Sequence, residues 1–195
     1  MVRVMGDDHK RRWPREVAVG VAREVCSVLG AVCDRLIVAG SLRRRRAEVG
    51  DVEILYIGKT EDRADPEDMF AEMTVDLADE AILGLEAAGV LERRLNSRGN
   101  ETYGKLNKLM RHVRTGVPVD LFSTSEAAWW NYLVCRTGPA ESNMRIATRA
   151  KAMGYRWSPY GAGFEERAGG RKVSVGSERE VFEFVGLDFR EPWER

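Results

Sequence analysis

The chain has 195 residues, 44% of them hydrophobic and 32% charged, the composition of an ordinary folded protein large enough to bury a core. Its 31 basic and 31 acidic residues cancel, so bulk charge does not mark it as a binder of nucleic acid, and no apolar stretch approaches the roughly 18 residues that span a bilayer. The opening MVRVMGDDHKRRWPREV has no apolar signal core, and three cysteines without a C-x-x-C, beside two histidines, argue against a zinc cluster; a reduced, cytoplasmic monomer with no membrane partner is expected.

Pro14 is placed to open a helix in which Val17, Val21, Val25 and Val28 recur at helical spacing up to Gly30. RLIVAG at 35–40 predicts a buried strand ending in a glycine turn. DVEILYI at 51–57 predicts a second strand, whose period of two puts Asp51, Glu53 and Leu55 on one face and Val52, Ile54 and Tyr56 on the other. Pro66 is expected to open a long helix with Phe70, Met73, Leu77, Ala81 and Leu85 as its apolar stripe. NSRGN at 96–100 reads as a turn, and VPVDLF at 117–122 as a third strand interrupted by Asp120. A capping box of Ser123 with Glu126 predicts the next helix, which TGP at 137–139 breaks and restarts, the restarted helix ending near Gly154. GAGF and AGGRKVSVG predict a hairpin, and a capping box of Ser177 with Glu180 starts a last helix that stops at Gly186.

Charge is unevenly placed along these elements. Residues 59–80 carry two basic against nine acidic side chains, residues 92–114 seven against two, and residues 139–172 seven against three. Local patches of this kind set where a polyanion docks, although a solvated face explains any one of them.

The informative stretch is GSLRRRRAEVGDVEIL at 40–55. Asp51 and Glu53, two residues apart on a strand, point the same way, and a buried sheet face would carry valine or isoleucine there. Should the strand of Asp120 lie beside theirs, three carboxylates converge, and oxygen-only donors suit Mg²⁺ or Mn²⁺. Two such ions a few ångströms apart activate a hydroxyl and stabilise a leaving phosphate. The plain alternative is a strand end facing water. It weakens because Gly40 and Ser41 form a turn whose backbone N–H groups and hydroxyl can cradle phosphate oxygens, followed directly by arginines suited to phosphate.

This stretch resembles the nucleotidyltransferase signature of family X DNA polymerases, G-S-x-x-R followed by G-D-[IVM]-[DE]. The resemblance runs from about Pro14 to Arg195 and includes PREVA at 14–18, VPVDLF, the thumb-like RTGPAESNMRIATRAKAMGYRWSPYG, and SEREVFEFVGLDFREPWER. It implies an α+β fold, with a nucleotidyltransferase palm at 1–122 built on a mixed sheet flanked by helices. A small helical nucleotide-binding thumb with a short hairpin follows at 123–195. It also implies a minimal form without the N-terminal lyase domain or a C-terminal phosphoesterase domain. Asp51, Glu53 and Asp120 then match the acids that hold two Mg²⁺ ions, Asp120 helping to activate the primer 3′-hydroxyl. Gly40, Ser41 and Arg44 match the triphosphate turn, Arg15 an arginine reaching the terminal phosphate, Gly138 the sugar pocket, and Asn143 the asparagine touching the incoming base. Tyr160 matches a thumb tyrosine near the template, and Arg145, Arg149 and Lys151 lie on the helix expected to face DNA.

The departures matter too. Glu53 stands where aspartate is commoner, which would shift preference toward Mn²⁺. Cys135 and Arg136 replace the aromatic pair before T-G, leaving the choice between dNTP and NTP open. Ala140 and Ala147 stand where an acid and a template-contacting arginine occur in some members. Lys105, Lys108, Arg111 and Arg114 could track a DNA backbone or decorate a solvated hairpin. Trp129 and Trp130 read as core, Tyr155 and Trp157 as core or duplex contact, the cysteines as small core residues, and His9 and His112 receive no role. The expected activity is template-directed addition of a dNTP to a DNA primer 3′-end, in short-gap filling or repair. The rivals are a nucleotidyltransferase acting on RNA, protein or a small molecule, and a non-catalytic DNA-binding module.

Overall fold

The computed structural model describes residues 11–65 and 71–195. A two-residue strand β1 (Trp13–Pro14) leads into α1 (Arg15–Leu29), with Pro14 in the capping position. The helix buries Ala18, Val21, Ala22, Val25 and Leu29, while Val17 and Val28 are exposed. The valine pattern therefore located the helix but misplaced its inner face. Two alanines, whose small side chains let the helix approach the sheet closely, complete the stripe instead.

Strand β2 (Cys33–Val38) runs into a one-turn helix α2 (Gly40–Arg43), then β3 (Glu48–Val49), which pairs with β1, and β4 (Val52–Gly58). Beyond it, β5 (Thr60–Ala64) pairs antiparallel with β6 (Glu72–Asp76), and α3 (Leu77–Ala87) follows. The long helix expected from Pro66 is thus corrected. Pro66 and Phe70 lie outside the described residues, and Met73 is on an exposed strand. The helix starts only where Asp76 accepts hydrogen bonds from the N–H groups of Ala78 (2.9 Å) and Asp79 (3.2 Å), an N-cap that outweighs the apolar spacing upstream.

Strands β7 (Leu91–Arg93), β8 (Asn107–His112) and β9 (Pro118–Ser123) complete a five-stranded mixed sheet in the order β2-β4-β9-β8-β7. All pairs are antiparallel except β4 with β9, which run parallel. One sheet face packs Val52, Ile54, Tyr56, Val119 and Leu121 against α1 and α3. The other packs Leu55 and Phe122 against Trp129, Tyr132 and Leu133 of the next helix, α4 (Trp129–Thr137). The alternation read at 51–57 holds, with both faces covered.

The capping box expected at Ser123 does not form. Ser123 stays in β9, bonded through its N–H to Leu106, and Glu126 is drawn off to Arg35 at 2.5 Å. A single 3₁₀ turn then precedes Trp129. Helix α5 (Ala140–Ala152) follows Gly138, and a small sheet β10-β11-β12 forms from β10 (Tyr155–Trp157), β11 (Gly163–Glu166) and β12 (Lys172–Ser174), one strand more than the expected hairpin. Helix α6 (Glu178–Phe184) is capped by Ser177, whose Oγ accepts from the Glu180 N–H at 3.1 Å. Tyr155 and Trp157 are interior here. Tyr155 meets the Phe184 ring edge-on at 5.1 Å, and the Trp157 indole N–H donates to Asn131 at 2.6 Å. Trp129 is buried and Trp130 partly so, stacked under the Arg35 guanidinium.

Candidate active site

Parallel pairing of β4 with β9 sets Glu53 opposite Asp120, with Asp51 two residues before Glu53 at the strand entrance. Residues in register across adjacent strands share a face, so the three acids share one end of one sheet face. Burial pushes all three carboxyls up. Asp51 is raised despite Arg94, Arg12 and Arg44 nearby. Glu53 rises to about 8, through burial first and the neighbouring Asp51 charge second. Asp120 rises to about 6, through burial opposed by Arg94. Three buried acids held this close resist ionisation unless cations neutralise them.

The turn between β2 and β4 is built against these acids. Ala39 donates its N–H to the Glu53 carbonyl at 2.8 Å, and Gly40 follows with φ +64°. A Cβ on Gly40 would collide with the Glu53 carboxylate, so glycine is required both by the backbone and by the room it leaves. Ser41 is half-exposed on the same turn, and its hydroxyl has no hydrogen-bond partner among the described residues.

The four arginines diverge. Arg44 donates to the Thr137 carbonyl, its Nη1 would sit 3.2 Å from a Cβ on Gly138, and its Nε is buried without a partner. Arg43 bonds Thr137 Oγ1 (2.7 Å) and Glu178 (2.5 Å). Arg45 covers the Trp193 ring at 4.1 Å, and Arg46 donates to the Arg195 carbonyl at 2.8 Å. Arg15 donates to the Leu42 carbonyl at 2.6 Å, bracing α2 from α1.

From α4, Arg136 lies 3.6 Å over the Phe122 ring, donates to Tyr132 Oη at 3.3 Å, and reaches within 4.0 Å of Glu53. Tyr160, largely exposed, meets the Tyr132 ring edge-on at 5.1 Å. Asn143 donates to the Cys135 carbonyl at 2.8 Å, and its Oδ1 is buried without a partner. Arg145, Arg149 and Lys151 are exposed on α5. The first two line a cavity of about 340 Å³ with Leu187 and Arg190, between α5 and the C-terminal segment, rather than the space before the acids.

Lys105 is exposed in the loop before β8. Lys108 is not: 2% of its side chain is exposed, and its Nζ is held by Asp79 at 2.6 Å and the Gly104 carbonyl at 3.2 Å. The expected DNA contact at Lys108 is therefore corrected to a buried structural pair. Residue type alone could not separate it from Lys105; the alternating burial along β8 does.

Arg94 is the site residue missed in the sequence, and its Nη2 lies 2.6 Å from Asp120 Oδ1. The donor chemistry of the triad fits a hard divalent cation, and the room at Gly40 fits the longer Glu53 side chain. Among the described residues no three such side chains stand in ready coordinating geometry, as Asp120 leans on Arg94 and Glu53 faces Gly40 and Arg136.

Comparison with known families adds one finding. Residues 132–195 match the family described as DNA polymerase beta thumb. The match points to a family X-like polymerase of nucleotidyltransferase type and to DNA binding. No curated protein matches the chain. No described helix is long and apolar enough to cross a membrane.

Proposed function

We propose that the chain is a template-directed DNA polymerase that adds dNTPs to a primer 3′-end, with residues 1–122 as a catalytic palm and 123–195 as a nucleotide-binding thumb, acting in short-gap filling. The observation that carries this reading is the β4–β9 register, which sets Glu53 against Asp120 beside a Gly40–Ser41 turn. The thumb match supports the nucleic-acid substrate.

Asp51, Glu53 and Asp120 would hold two Mg²⁺ ions, with Mn²⁺ as the alternative, and these supply charge neutralisation at the transferred phosphate. The chain does the positioning. Backbone N–H groups and the Ser41 hydroxyl orient the triphosphate, Arg44 and Arg15 face its negative charge, Gly138 lets the sugar approach, and Asn143 contacts the base. The primer 3′-oxygen bonds to the α-phosphorus, the bond from that phosphorus to the bridging oxygen breaks, and pyrophosphate leaves. Asp120 takes the hydroxyl proton. Most of the acceleration comes from positioning and electrostatics.

Primer extension on gapped, primed and single-stranded DNA and on RNA, with dNTPs and NTPs and with Mg²⁺ or Mn²⁺, tests the proposal. Templated dNTP incorporation that vanishes in Asp51→Ala and Asp120→Ala, both still folded, is expected. Full activity in either variant would remove the site, and transfer to an RNA, protein or small-molecule acceptor alone would replace the polymerase reading.

A further inference from the structure

Arg94 reaches Asp120 by sheet register. Arg93 pairs with Met110 and the Arg94 N–H donates to the Leu109 carbonyl, so Arg94 continues the β7–β8 pairing opposite Leu109, which itself pairs with Asp120. Glu53, Asp120, Leu109 and Arg94 therefore form one row across four strands on a single face. Two strand spacings are about 10 Å, a span an arginine side chain can bridge over Leu109. The Arg94 side chain is 16% exposed and that of Asp120 13%, so the pair is largely withdrawn from water.

The contact is single, not a fork. One Nη2 bonds Oδ1, Nη1 has only the Leu95 carbonyl at 3.4 Å, and Nε is buried without a partner. Arginine does not lose its proton, so this charge persists at any working pH. With Arg136 facing Glu53 and Arg44 near Asp51 and Glu53, the chain balances its own carboxylates. Entry of a divalent ion is then an exchange of cations. Arg94 holds the acid most tightly of the three, yet through a bond with weak support behind it.

We propose that Arg94 is a positioning residue that competes with divalent metal for Asp120, setting how readily the carboxylate cluster takes up its ions. This rests on the metal-site reading above. When an ion arrives, the guanidinium leaves Oδ1, and it returns when the ion departs.

The test is titration of the full chain with Mn²⁺ alone, reading the free-ion EPR signal, for wild type, Arg94→Gln, Arg94→Met, Arg94→Lys and Asp51→Asn, each checked by circular dichroism. Arg94→Gln and Arg94→Met, which lose the charge, bind Mn²⁺ about tenfold more tightly, whereas Arg94→Lys, which keeps it, stays near wild type. Unchanged or weaker binding in a folded, charge-removed variant overturns the proposal, while the metal site stands if Asp51→Asn still weakens binding. No Mn²⁺ binding by any variant overturns both.

Discussion

Arg43 of α2 and Arg195 of the C-terminal segment share one carboxylate: Glu178 Oε1 lies 2.5 Å from Arg43 Nη2, and Glu178 Oε2 lies 2.8 Å from Arg195 Nη2. Glu178 is 8% exposed and Arg195 2%, so the carboxylate has little water to fall back on. Breaking a buried pair by deleting one partner leaves uncompensated charge, and here it would leave two guanidinium groups facing each other. Glu178→Ala should lower the unfolding free energy by about 3–5 kcal/mol in urea denaturation. A loss below about 1 kcal/mol would mean that the pair behaves like an exposed salt bridge.

Gly40 separates two roles that glycine plays. Its φ of +64° strains any other residue, and a Cβ there would strike the Glu53 carboxylate. Gly89 has a similar φ of +70° but open space around it. Gly40→Ala and Gly89→Ala should therefore share a backbone cost of about 1–2 kcal/mol. Only Gly40→Ala should also lower kcat/KM for primer extension, by about 100-fold, because it displaces a catalytic carboxylate. Equal activity in the two variants would show that Glu53 needs no such cradle.

The two-residue spacing of Asp51 and Glu53 and the lone Asp120 in VPVDLF were legible because carboxylates break the apolar pattern of their strands. The strand pairing that joins them is a long-range fact, and so is the reach of Arg94, which lies two strands away within an unremarkable LERRL. The four arginines show the same limit from the other side. They read as one block of charge, yet each finds a different partner, because a single helical turn, the αL backbone at Arg45 and the following loop fan them apart. Where the reading failed, at the helix expected from Pro66 and the capping box at Ser123, a local pattern lost to tertiary pairing: β5 with β6, and Arg35 with Glu126.

Lys105 and Lys108 divide stability from binding. Lys108 is paired and buried, so Lys108→Ala removes the cation from Asp79, which is one-third exposed and can turn to water, and should cost about 1–3 kcal/mol of stability. The folded fraction should bind DNA as wild type does. Lys105→Ala should leave the melt unchanged, weaken DNA binding across sequences, and reduce the slope of log affinity against log salt by about 1. Fluorescence anisotropy across a salt series reads both effects. A salt-slope change in Lys108→Ala with stability intact would restore it as a phosphate contact.

The raised carboxyls predict an inverted pH profile for the metal-free protein. Glu53 has a folded-state value of about 8 against an ordinary 4.5, and Asp120 about 6 against 3.8. Between those limits the folded state binds more protons than the unfolded state, so stability falls as pH rises through the window. Scanning calorimetry in EDTA should show the melting temperature dropping from about pH 5 to about pH 8. Glu53→Gln, which cannot ionise, should flatten most of the drop and melt higher than wild type at pH 8. Adding Mg²⁺ at pH 8 should raise the wild-type melting temperature, because a ligand that binds only the folded state stabilises it. It should do so far less in Glu53→Gln. A wild-type melt that is flat or rises across the window, with Glu53→Gln following it, would mean that the acids ionise freely and that the guanidinium groups around them already suffice.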